Sequence, residues 1–353
     1  MTGVVFLVAG ILSITVSITA ITTNSLLLIV IIKNPLHCLR KPSSGLLVAL
    51  AVADFLQGVI ACRNLAHDAL EAYITGTYQI PGLRSYQFLL GVFTFTFEIM
   101  VVIALTMERL VAIYFPIFHR IRINFKTSII ITIALIVYSV LFTFIQFTSI
   151  TPMAYDMADI LLHHLLPLVT VPLVYAIIQR RLTKQNIAFK TNEKSEFRRQ
   201  HAERRLASTV RIIALLMLST LTPYFVIIVL MSYCGSCDYS LLIKSYLVSL
   251  VMFQSNSLIH PFVYGWRLRQ YRNSFRAVFA TRWLRGSGRI DVRMNSISAM
   301  KIDSLTNQCP DRLTNQGPDR WTNQIPNSLT NQSLNSLTNQ GPDGLTNQSP
   351  EPE

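Results

Sequence analysis

Charge is scarce in this sequence. Asp, Glu, Lys and Arg make up 14% of its 353 residues, against about 25% in a soluble domain. Hydrophobic residues make up 51%, and they are gathered into runs rather than spread along the chain. That pattern excludes a freely soluble globular domain. An open sheet is excluded too, because lipid offers no partner for its unpaired backbone. The first run, starting almost at Met1, has no basic segment before it and is longer than the apolar core of a signal peptide. We read it as a signal anchor that stays. No internally repeated halves are visible, although transporter folds often carry them.

What is there are seven apolar runs, near 4–32, 44–66, 86–114, 127–149, 159–180, 206–232 and 241–265. Each is close to the ~20 residues that cross a bilayer as a helix. With the amino terminus outside, all but Arg63, Arg84 and Lys244 of the 31 Lys and Arg fall inside. This asymmetry predicts an extracellular N-terminus and a cytoplasmic C-terminus. The net charge of +13 therefore calls for no nucleic acid. It fits topology, an anionic inner leaflet and an acidic cytosolic partner.

Of the five cysteines, Cys38 and Cys309 face the cytosol and Cys62 lies in the second span, so none should be bridged. Cys234 and Cys237, in "SYCGSCDYS", lie in the last outer loop, where the compartment is oxidising. A local disulfide is expected there. The rival reading is a metal half-site, which one CxxC without a nearby His supports weakly.

The chain divides into a bundle (1–266), an amphipathic helix on the inner leaflet (267–282) and a tail (283–353). In "GWRLRQYRNSFRAVF" the apolar residues Trp266, Leu268, Tyr271, Phe275 and Phe279 recur at helical spacing among arginines, which suits membrane lipid as a partner. A basic stop-transfer flank is the plainer reading. In the tail "LTNQ" or "WTNQ" recurs at 305, 313, 321, 329, 337 and 345, a period of eight running to 348. These repeats lack the apolar content for a core, so the tail is expected to be disordered. Asn331 and Asn347 head glycosylation sequons on the cytosolic side and should stay unmodified.

Several motifs coincide in order. The second span holds "LAVADFLQG" and the third ends "IALTMERLVAIYFP". The fifth holds "LLPLVTVPLVY", the sixth "LSTLTPYFV" and the seventh "NSLIHPFVY". Together they resemble the rhodopsin-like (class A) G protein-coupled receptors across roughly residues 10–280. The resemblance implies an all-α membrane protein, a seven-transmembrane helix bundle with a short amphipathic eighth helix. Its Asp-Arg-Tyr motif is similar to Glu108, Arg109 and Leu110. Its Asn-Pro-x-x-Tyr motif is similar to His260, Pro261, Phe262, Val263 and Tyr264. Asn24 and Asp54 match the family's first-span Asn and second-span Asp.

There are departures. Thr220, Leu221, Thr222 and Pro223 stand where the family favours Cys-Trp-x-Pro, and Met217 stands where it favours Phe. The fourth span has no Trp. No Cys occurs near "GLRSYQFLL" or in the short second outer loop "SITPMAYDMADI", so the usual inter-loop disulfide is missing. Melanocortin, lysolipid and cannabinoid receptors share that absence, and a bridged third outer loop resembles melanocortin and adenosine receptors.

The resemblance assigns candidate roles. Arg109 would clamp Glu108 and Glu203, with Tyr175, Pro223, His260, Pro261 and Tyr264 completing the activation switch. The bland readings are a positive-inside flank for Arg109, a solvated acid for Glu203 and interfacial anchoring for the tyrosines. An outward-opening ligand cavity would be lined by Gly91, Phe95, Thr96, His163, Tyr224, Phe225 and Gln254, although an aromatic stripe is more often packing. Amine receptors carry a third-span Asp where this chain has Gly91, and opsins a seventh-span Lys where it has Gln254. A monoamine and retinal are both disfavoured.

Depth along the spans, at ~1.5 Å per residue, brings Asp54, Glu98, Asn256 and Ser257 to one level near the midplane, with His260 about one turn below. In the family this level resembles an allosteric sodium site built on Asp54. Two buried carboxylates cannot both ionise cheaply, so either a cation sits between them or they share a proton. Glu98 as a neutral packing residue is the alternative. The functional expectation is a non-enzymatic cell-surface receptor. It would bind an extracellular small-molecule, lipid or peptide ligand and act on a heterotrimeric G protein, with arrestin as a further partner. A non-signalling decoy receptor and an ion or proton transporter are the competing readings.

Overall fold

The computed structural model describes residues 2–33, 39, 42–79, 82, 85–188 and 194–286, with the side chains of 2, 42, 43, 184–188, 194–203, 269 and 279–286 excepted. The tail repeats, Cys38 and Cys309 lie outside them. All regular structure among the described residues is helical. Seven helices are long and apolar enough to span a membrane: Gly3–Lys33, Ser44–Thr75, Tyr86–Tyr114, Phe125–Phe147, Pro152–Thr183, Arg204–Tyr233 and Tyr239–Arg267. A short helix, Pro116–Arg122, follows the third span, and Arg269–Gly286 follows the seventh.

Two spans run further than hydropathy indicates. The second continues through "RNLAHDALEAYIT", which is polar overall but buries Leu65, Ala66, Ala69 and Ala72. Those residues recur three or four apart, so they form one face. That face packs with Phe6, Ala9, Ile243, Leu247 and Val251 of the first and seventh spans. The helix stops at Gly76, whose φ of 79° is left-handed and whose N–H bonds Ala72 O at 2.9 Å, the ending that glycine favours.

The fifth span corrects a second expectation. Most of "SITPMAYDMADI" is helix rather than loop. Thr151 caps it by accepting from the Ala154 N–H at 3.3 Å, and Pro152 occupies the first turn, where its missing N–H costs nothing.

The fourth span is the most exposed, with Ile130, Ile133, Val137, Leu141 and Phe144 turned outward. An apolar helix exposed in this way suits lipid. Its inner face approaches the second span closely. A Cβ added at Gly45 would lie 2.4 Å from Ser128 Cβ. Neither backbone can yield cheaply, so Gly45→Ala should destabilise the protein by about 1–3 kcal/mol. Gly265→Ala meets nothing within 4 Å and should not. Thermal melting of the two purified variants in one detergent checks the contrast.

Proline shapes the seventh span. Pro261 has no N–H, which leaves the carbonyl of Ser257 without its helical donor. Asn24 of the first span supplies one, its Nδ2 reaching Ser257 O at 2.9 Å. A buried asparagine and a buried proline on different helices thus satisfy one backbone group between them. Above this point the helix breaks at Ser255.

The helix Arg269–Gly286 is tied to the bundle by Leu268, Tyr271, Ser274 and Ala277, all buried. Tyr271 meets Tyr264 at a tilt, with centroids 6.3 Å apart, and donates to Ser44 Oγ at 3.4 Å. Burial pushes its hydroxyl pKa up to about 12. Trp266, by contrast, is exposed. With Thr23, Leu26, Pro261, Phe262 and Phe275 it lines a lipid-facing cavity of about 570 Å³.

Candidate functional site

Three layers of polar or aromatic side chains interrupt the apolar core. At the end of the third span, Arg109 is almost fully buried. Its Nε donates to Glu108 Oε2 at 2.7 Å and its Nη2 pairs with Glu108 Oε1. His119, from the short helix after the span, approaches the same carboxylate, with Nε2 2.7 Å from Oε1. A buried charge needs such a partner set. Arg267 donates to Ser208 Oγ at 3.0 Å and so joins the seventh span to the sixth at this end. Glu203 lies on the sixth helix, but its side chain falls outside the described residues. Tyr175 and Tyr264 are buried in the main core cluster, and Pro223 sits inside the sixth helix.

In the middle layer, Asp54, Glu98 and His260 are each fully buried. His260 Nδ1 is 3.1 Å from both oxygens of Asp54. One carboxylate oxygen from each acid and one imidazole nitrogen all lie within 4.8 Å of one another. Neither oxygen of Glu98 has a hydrogen-bond partner among the described residues. Asn256, expected in this cluster, instead gives its amide to Thr220 Oγ1 at 2.6 Å. The acceptor is the hydroxyl of Thr220, on the sixth span. The Ser257 hydroxyl is buried without a partner among the described residues.

The third layer is aromatic. Phe95 meets His164, Phe253 and Tyr224 at centroid distances of 4.8, 4.9 and 5.7 Å. Tyr224 also meets His164, Phe253 and Tyr246, and Phe225 approaches His164 at 6.2 Å. Gly91 lies one turn from Phe95 on the same face and borders open space. Thr96 and Gln254 are buried, and Thr96 Oγ1 and Gln254 Oε1 have no partner among the described residues.

His163 is a correction. It faces the fourth span, with Nε2 3.0 Å from Tyr138 Oη, Nδ1 2.9 Å from Asp159 Oδ1, and Phe142 edge-on at 4.3 Å. His164 takes its expected place among the aromatics. The cause is a π-helical turn over Ile160–Leu165. One such turn holds an extra residue, so every later side chain is rotated from the position a regular helix predicts.

Sequence reasoning also missed His119, Tyr246 and Phe253. The first is separated from Glu108 by the helix break at Phe115, across which no periodicity runs. The other two look like ordinary apolar filling of the seventh span.

Cys234 and Cys237 form a disulfide, with Cα atoms 5.6 Å apart. Cys62 is a free, buried cysteine. Mass spectrometry without reduction should find the 234–237 pair linked in the surface-expressed protein. Because the closed loop is so short, Cys234→Ser should cost less stability than the ~3 kcal/mol of a 15-residue loop. Ready alkylation of both thiols before reduction would refute the bridge.

Seven apolar spans, a buried acid–arginine pair ending the third and a proline inside the seventh define a heptahelical membrane bundle. Comparison with known proteins agrees. The family "7 transmembrane receptor (rhodopsin family)" matches residues 145–264, and "Serpentine type 7TM GPCR chemoreceptor Srbc" matches residues 1–153. Adenosine receptor A2a of Canis lupus familiaris and of Homo sapiens are each 33% identical over 85 residues, 24% of this chain and 19% of theirs. The matched region spans about a fifth of those receptors' length. The crystal structure of squid rhodopsin has the same fold, with a TM-score of 0.66 at 15% identity over 87% of this chain and 92% of that one. The chain is a rhodopsin-like, class A receptor of the G protein-coupled type.

Proposed function

We propose that this receptor sits in the plasma membrane with its amino terminus outside and its carboxyl terminus in the cytoplasm. It binds an extracellular ligand at the aromatic layer and activates a heterotrimeric G protein by outward movement of the sixth helix. It does so as a receptor, with no catalytic role for its residues. The observation that carries this reading is the buried Glu108–Arg109 pair with His119 against it, at the end where the basic residues gather. Such a lock holds one arrangement until a ligand shifts the populations. Glu203, on the sixth helix, is the proposed acid that brings that helix into the lock.

Gly91 and Gln254 speak against a monoamine and retinal. The rings of Phe95, Tyr224, Phe253 and His164 favour a flat or aromatic ligand through stacking. Adenosine and related nucleosides are the first class to try, given the relatives matched. G protein recruitment in cells, read against a nucleoside panel and then small-molecule, lipid and peptide libraries, tests the proposal. Surface-expressed receptor that recruits no G protein, with or without agonist, would point to a decoy instead.

A further inference from the structure

We propose that Asp54, Glu98 and His260 bind a single zinc ion in the centre of the bundle. The donor set decides the class of cation. Two carboxylates and an imidazole suit zinc and its first-row neighbours, whereas sodium and magnesium prefer oxygen alone. Charge points the same way. A divalent ion offsets both carboxylates with no proton retained, whereas a monovalent ion balances the pair only if one of the two acids stays protonated.

Geometry fits. Tetrahedral zinc with bonds of about 2.0–2.2 Å holds its ligand atoms roughly 3.3–3.5 Å apart. His260 Nδ1 already lies 3.1 Å from Asp54. A Glu98 oxygen lies within 4.8 Å of an Asp54 oxygen and of an imidazole nitrogen of His260, a gap of about 1 Å to zinc's ligand spacing that a small side-chain rotation would have to close. Glu98 supplies the independent observation: it is fully buried, and both its oxygens lack a partner among the described residues. The imidazole is carried on a helix fixed by Pro261 and Asn24. Asn256 Oδ1 and Ser257 Oγ are buried without partners among the described residues. They lie four and three residues before His260, on its face of the helix, and can supply a fourth ligand or hold a water. A bound ion would link the second, third and seventh spans. This inference stands apart from ligand binding and signalling.

The test uses the full-length receptor in detergent, stripped with chelator and titrated with zinc chloride. His67→Ala is the background, because His67, Asp68 and Glu71 form a second, mostly exposed group within the same 4.8 Å limit. One zinc per chain is expected by metal analysis, with a raised melting temperature. Glu98→Gln and His260→Asn should each weaken binding by at least about a hundredfold, beyond the 10–100-fold that outer-shell changes cost. Melting of the metal-free variants shows that they are folded. The site is overturned if zinc binds equally to Glu98→Gln, if only the His67 group binds it, or if sodium stabilises the protein and zinc does not.

Discussion

Arg109→Ala should abolish G protein recruitment at normal surface expression. The side chain is 1% exposed, and its guanidinium is held by both oxygens of Glu108. A charge this deeply placed at the basic end is costly to keep unless it is used. In the proposed mechanism it releases Glu108 when the sixth helix moves and then faces the G protein. Removing the lock without removing the arginine should do the opposite. His119→Ala deletes the second group on Glu108. A hydrogen bond to a charged group is worth about 1.5–3 kcal/mol, and each 1.4 kcal/mol is tenfold in a population. Ligand-free recruitment should therefore rise by about tenfold or more, and Glu203→Ala should raise it too. Full recruitment by Arg109→Ala removes the assigned role. Unchanged basal recruitment by His119→Ala means that His119 is packing.

The sequence reveals the spans more readily than the register of side chains within them. Lipid demands ~20 apolar residues per helix, and that demand is written in composition, so the seven runs are visible. Which residue faces which neighbour depends on a regular 3.6-residue step. The π turns at Gln57–Cys62 and Ile160–Leu165 break that step without any signal in hydropathy. This is why His163 was expected where His164 stands. Pro167 and Pro172, close after the second π turn, are the one local hint. The partnership of Asn24 with Ser257 is similarly hidden. The residue match suggests that Asn24 matters, but only the fold shows that it answers the carbonyl left by Pro261. Thr220 shows how one departure redirects another residue, since its hydroxyl takes the amide of Asn256. The second span's extension to Thr75 escapes hydropathy because it buries a narrow alanine face against the first and seventh spans.

His260→Ala should cause a large loss of stability, measured in chelator so that no metal contributes. Asp54 is fully buried, and the imidazole stands 3.1 Å from both its oxygens. Deleting one partner of a buried pair costs about 3–5 kcal/mol, because the other charge is left uncompensated. Here the second carboxyl, Glu98, lies within the same 4.8 Å, and the pair cannot carry two negative charges cheaply once the imidazole is gone. Two consequences separate this account from simple cavity formation. The deficit against wild type should narrow as the pH falls, because protonated carboxyls no longer need the imidazole, whereas a cavity is indifferent to pH. Glu98→Gln added to His260→Ala should recover part of the loss, since it removes the second acid beside which Asp54 must hold its charge. The two substitutions would then be non-additive by more than the ~0.5 kcal/mol seen for independent sites. Melting curves of wild type, the two single variants and the double variant from acidic to neutral pH decide it. A pH-independent deficit with additive single effects would mean that the three side chains touch without electrostatic coupling.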